Sequence, residues 1–88
     1  MLIAGYRIKF IHSECFACDY VERLLKYYRM YDDVEKIHVD SDEGQKIRNQ
    51  YNFKKIPVLM IYFDEHLITI ISDISKEDVI KLRDECCV

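Results

Sequence analysis

Apolar positions along the chain switch between two spacings. Arg7 to Ser13 reads as a strand, with Ile8, Phe10 and Ile11 apolar and β-prone. From Cys15 the period lengthens. Val21, Leu24, Leu25 and Tyr28 fall at i, i+3, i+4 and i+7, one face of a helix reaching about Tyr31. Asp32-Asp33 marks a turn. Glu35 to Asp40 then alternates, Ile37 and Val39 against Lys36 and His38, which predicts a short half-buried strand. Ser41 or Asp42 caps a second helix, with Asp42 and Glu43 in the turn where the dipole favours acids. Ile47 and Tyr51 are its inner face, and Asn52 ends it.

Ile56 to Phe63 is nearly all apolar, as in a strand buried on both faces. Asp64-Glu65-His66 is a tight turn, and Leu67 to Ile71 returns as the second strand of a hairpin. Ser75 followed by Asp78 fits a capping pattern. The last helix runs from about Lys76 to Glu85, with Val79, Ile80 and Leu82 inward. The order β-α-β-α-β-β-α predicts one α/β domain over residues 1–88, a four-stranded mixed sheet flanked by helices. No repeat or linker interrupts it.

Composition narrows the class. Of 88 residues, 50% are hydrophobic and 33% charged, a globular balance. The net charge of −3 argues against nucleic-acid binding, which favours a basic face. No run of about 18 apolar residues exists, so no transmembrane helix or membrane role is expected. Arg7 and Lys9 break the apolar start before a signal peptide can form. The expected compartment is the reducing cytoplasm. There, cysteine spacing points to redox chemistry or metal more often than to structural bridges. The four Cys fall well under the roughly 8–10% of a disulfide scaffold.

Cys15-Phe16-Ala17-Cys18 sits where the first strand hands over to the first helix. Only a thiolate attacks a disulfide, and unpaired N–H groups at a helix N-terminus favour the thiolate. Cys15, at the start of the turn, is the candidate nucleophile. Cys18, one turn inward, is the candidate resolving thiol. A zinc half-site or two ordinary cysteines would show the same spacing. A zinc site needs a second pair, and the other pair present is the vicinal Cys86-Cys87. Pro57, the chain's one proline, opens the buried strand, where proline is tolerated. A cis Ile56-Pro57 bond would turn the Ile56 backbone towards an incoming peptide. A trans proline that simply begins the strand fits the same residues.

Together these features resemble the thioredoxin and glutaredoxin superfamily over nearly the whole chain. Tyr51-Asn-Phe-Lys-Lys-Ile-Pro-Val-Leu59 is similar to a thioredoxin's Tyr-x-Ile-x-x-Ile-Pro-Thr-Leu. Ile74-Ser-Lys-Glu-Asp-Val79 looks like the start of its final helix. Strand, Cys-x-x-Cys and helix from Ile8 to Leu25 match too. The resemblance implies a minimal thioredoxin fold, a cis Pro57 beside Cys15, attack by Cys15 and resolution by Cys18. It implies that Phe16, Ala17, Ile56 and Pro57 contact the substrate. The length and layout resemble the glutaredoxins and the small glutaredoxin-like thioredoxins.

Several positions depart from the family. Ser72-Asp73 stands where glutaredoxins carry Gly-Gly for glutathione. Lys54 or Lys55 could still pair with a glutathione carboxylate, or sit in a solvated loop. Lys9 replaces the inward acid of thioredoxins and Glu14 their tryptophan. Glu14, Asp19 and Glu22 oppose thiolate formation near the motif, while His12 could lend a positive charge. Cys86 and Cys87 read as terminal thiols without a catalytic role.

The expected activity is thiol–disulfide exchange on disulfide-containing proteins, with no cofactor and no metal. A thioredoxin-type reductase or glutathione would restore the dithiol of a monomeric protein. The competing readings are a glutathione-dependent glutaredoxin and a non-catalytic module that binds metal or a protein partner.

Overall fold

Two stretches rich in β-branched and aromatic residues meet at the centre of the sheet. β1 (Tyr6–His12) runs antiparallel to β3 (Val58–Phe63), with Ile8 opposite Ile61 and Phe10 opposite Leu59. β2 (Glu35–His38) lies parallel to β1 on one side, and β4 (His66–Ile71) antiparallel to β3 on the other. The order is β2-β1-β3-β4, the mixed four-stranded sheet expected. The computed structural model describes residues 1–88.

Helices cover both faces. α1 (Phe16–Tyr27) and α3 (Lys76–Cys86) pack on one face through Val21, Leu25, Val79 and Leu82, against Ile8, Phe10, Leu59 and Ile61. α2 (Asp42–Tyr51) covers the other with Ile47, against Ile11, Ile37, Val58 and Met60. Alternation along β3 sends Leu59 and Ile61 to one layer and Val58 and Met60 to the other. Double-sided cover is why that strand reads as a continuous apolar run. No polar or charged side chain is buried.

Three boundaries move inward. The first helix ends at Tyr27, not Tyr31, because Arg29 turns left-handed at φ 60° and Met30 drops into the core. A 3-10 turn over Tyr31–Asp33 follows. β2 stops at His38, with Val39 buried just beyond it. β3 begins at Val58, after the cis Ile56–Pro57 bond, since proline has no N–H to give a strand ladder. The last helix gains one residue and ends on buried Cys86.

Candidate active site

β1 leaves the sheet at His12 and the chain turns directly into α1. Cys15 is the N-cap of that helix, in extended backbone, and its Sγ accepts the Cys18 backbone N–H at 3.1 Å. A sulfur thus takes the place usually held by a serine or aspartate oxygen at a helix start. Cys18 is buried, and its Sγ accepts the Ser13 N–H at 3.4 Å. The two cysteines form a disulfide, with Cα atoms 5.1 Å apart. Backbone donors therefore point at both sulfurs, an arrangement that favours negative charge on them once the bond opens.

Two openings flank the pair. A cleft of about 590 Å³ is lined by His12, Ser13, Glu14, Cys15, Phe16 and Asp19. A groove of about 320 Å³ runs past Ala17, Tyr20, Val21, Ile56, Pro57 and Ile74. Phe16, on the cleft, is 93% exposed. Of the residues expected to meet a substrate, Phe16 lines the cleft with Cys15, and Ala17, Ile56 and Pro57 line the groove.

A histidine cluster completes the rim. Parallel pairing sets His38 of β2 beside His12 of β1, ring centroids 5.6 Å apart. The Nε2 of His38 contacts both Glu14 carboxylate oxygens, at 3.0 and 3.1 Å, while its Nδ1 accepts the Asp40 N–H at 3.1 Å. These partners assign the proton to Nε2, which donates to Glu14. The His38 bond holds the Glu14 carboxyl below the usual carboxylate range. Partial burial, and then His38, hold His12 below the ordinary histidine value of 6.5, against a weaker pull from Glu22 and Glu14.

His38 was legible only as an outward residue of a strand. Its place at the site follows from the β1–β2 register, which periodicity does not encode. Lys9 lies elsewhere. Its ammonium reaches Glu43 of α2 at 3.1 Å and sits over the Tyr62 ring, on the sheet face opposite α1. It is 15% exposed there, neither at the thiols nor freely solvated. Lys55 is exposed and 3.9 Å from the Asp73 carboxylate. Cys86 is buried in the α3 layer, and Cys87 bridges to Leu2. Burial pushes both thiols above their usual range. No three His, Cys, Asp or Glu side chains are gathered to hold a metal ion.

Solved structures of similar shape decide what this scaffold is. A thioredoxin O2 from Arabidopsis thaliana, in its oxidized state, superposes with a TM-score of 0.69 at 13% identity, over 93% of this chain and 75% of that one. An oxidised thioredoxin from Plasmodium falciparum gives 0.63 at 16% identity, over 92% and 80%. The chain has the thioredoxin fold. A mutant thioredoxin from Halobacterium salinarum NRC-1 agrees, with a TM-score of 0.63 at 18% identity over 91% and 70% of the two chains. No family model matches the sequence, and no curated protein matches it significantly. Within this thioredoxin fold the cysteine pair occupies the N-terminus of α1, and the Ile56–Pro57 bond implied by the resemblance is cis.

Proposed function

We propose that the protein is a thiol–disulfide oxidoreductase that reduces disulfides in other proteins. The observation that carries this reading is the asymmetry of the pair. Cys15 opens onto a cleft at a helix N-terminus, while Cys18 lies buried one turn inward and bridged to it. In the reduced state the Cys15 thiolate attacks a substrate disulfide. A Cys15–substrate disulfide forms, and the other substrate sulfur leaves as a thiolate. Cys18 then attacks the Cys15 sulfur, which closes the internal disulfide and frees the second substrate sulfur. Two electrons pass from the dithiol to the substrate.

The groove beside Pro57 suits an extended peptide segment, and exposed Phe16 offers an apolar contact on the Cys15 cleft. A thioredoxin-type reductase is the proposed reductant. Asp73 supports this choice over glutathione, because its exposed carboxylate faces Lys55, one of the two lysines open to a glutathione carboxylate. The reading sets the protein in the cytoplasm, as a monomer.

Turbidimetric reduction of insulin disulfides tests it, with NADPH and thioredoxin reductase in one arm and glutathione with its reductase in the other. Wild-type protein should turn over in the first arm, and Cys15→Ser should abolish turnover. Cys18→Ser should accumulate a mixed disulfide visible by mass spectrometry. Undiminished activity in Cys15→Ser would sink the reading. Turnover only with glutathione would reassign the reductant.

A further inference from the structure

A buried thiol cannot attack until it has lost its proton, and apolar surroundings work against the thiolate. Cys18 is 3% exposed, so its proton needs a nearby acceptor. Lys9 of β1 points to the other sheet face, at Glu43. The acceptor must therefore come from the few groups that share a space with Cys18.

That space is a small cavity of about 120 Å³. Cys18, His12, Glu22, Tyr31 and Lys36 are among its lining residues. His12 also lines the cleft over Cys15, so it borders both the hidden and the open side of the dithiol. Its ring is held by stacking on Phe10, centroids 5.2 Å apart, and by the edge of His38. The side-chain hydrogen bonds here engage His38, Glu14, Glu22 and Tyr31, and leave the His12 ring free to exchange a proton.

We propose that His12 accepts the Cys18 proton when the mixed disulfide is resolved. This rests on the exchange chemistry above. The Cys18 S–H bond breaks and its proton passes to an imidazole nitrogen, directly or through a water in the cavity. The freed sulfur attacks Cys15, the Cys15–substrate bond breaks, and the departing substrate thiolate or solvent takes the proton from His12. No further oxidant or reductant enters.

The charged groups around the ring fit this role. Glu14 from the loop, Asp19 and Glu22 from α1, and Lys36 from β2 line the same two spaces, and His38 of β2 stands edge-on to the ring. The ring's lowered affinity for protons keeps it neutral, and so able to accept one, at neutral pH. An imidazole is a stronger base than a carboxylate, by about 2 pKa units in ordinary surroundings. Tyr31 does not compete, because its hydroxyl donates to Glu22 at 3.0 Å and its pKa is raised by that bond.

Stopped-flow reaction of the reduced protein with one equivalent of Ellman's reagent separates the two steps. The first release of chromophore reports attack by Cys15, and the second reports resolution by Cys18. Cys87→Ser serves as the background, to silence a thiol outside the site. In that background the second phase should quicken as pH rises through the His12 ionisation, below 6.5, and then level off. In His12→Gln the ratio of the second-phase rate to the first-phase rate should fall about a hundredfold at neutral pH, and the second phase should lose its plateau. His12→Asn, checked by circular dichroism, gives the same comparison if Gln does not fold. The same ratio and the same second-phase pH profile in both proteins overturn the role of His12 and leave the exchange chemistry standing. No first phase in the background protein overturns both.

Discussion

A thiol that meets a protein disulfide has to be reachable, and a thiol that waits has to be covered. One helical turn supplies both, because Cys15 is the cap and Cys18 the third residue inside it. The same turn throws Phe16 outward, 93% exposed, with no fold contact to justify an aromatic ring there. Phe16→Ala should therefore change folding stability by less than about 0.5 kcal/mol, as for other surface sites. It should raise KM for a protein disulfide while leaving reaction with a small reagent intact. A large drop in the urea midpoint would show that the ring belongs to the fold instead. Cys86 is the opposite case. It carries a reactive atom, yet it is 2% exposed in an apolar layer, where free cysteine behaves as a small hydrophobe.

Helix starts were readable in the sequence because a cap is local chemistry. Ser41 accepts the Gly44 N–H at 3.0 Å. Ser75 and Asp78 close a reciprocal box, each side chain accepting the other's backbone N–H. Helix ends were less readable. Nothing in the apolar period says that Arg29 turns left-handed; burial of Met30 and Val34 requires it. Gly44 was also unreadable from period alone. α2 crosses β2 so closely that a Cβ at Gly44 would meet the backbone oxygens of His38 and Val39. Gly44→Ala would gain about 1 kcal/mol of helix propensity in isolation. Here it should lose about 1–3 kcal/mol net, the usual range for overpacking, read as a fall in urea midpoint. A stabilised variant would mean that α2 can shift freely on the sheet.

Across the whole molecule, ionisation sets a window of stability. His12 has its pKa lowered in the fold, so below 6.5 the unfolded chain binds the proton first and stability falls as pH drops. Cys86 and Cys87 have theirs raised by burial, so above 9.0 the unfolded chain releases protons first and stability falls as pH climbs. Tyr31, through its bond to Glu22, and Tyr62, through burial, add to that alkaline loss above 10.0. Urea midpoints of the reduced protein should be highest between about 6.5 and 9.0. A maximum outside that window counts against these assignments. His12→Gln should lessen the loss on the acid side, since the imidazole whose proton affinity the fold lowers is gone.

The amino-acid order by itself determined the number and sequence of elements, the continuous apolar strand at the centre, and the cysteine pair at a strand-to-helix junction. These are carried by period, caps and spacing, which act over a few residues. Only the tertiary structure decided which faces and neighbours those residues share. It turned Lys9 towards Glu43, set Cys86 in the core, and brought His38 and Glu14 to His12 beside the dithiol. Those placements depend on strand register and on which helix covers which face. Both are fixed by packing between segments far apart in the chain, so no local pattern can announce them.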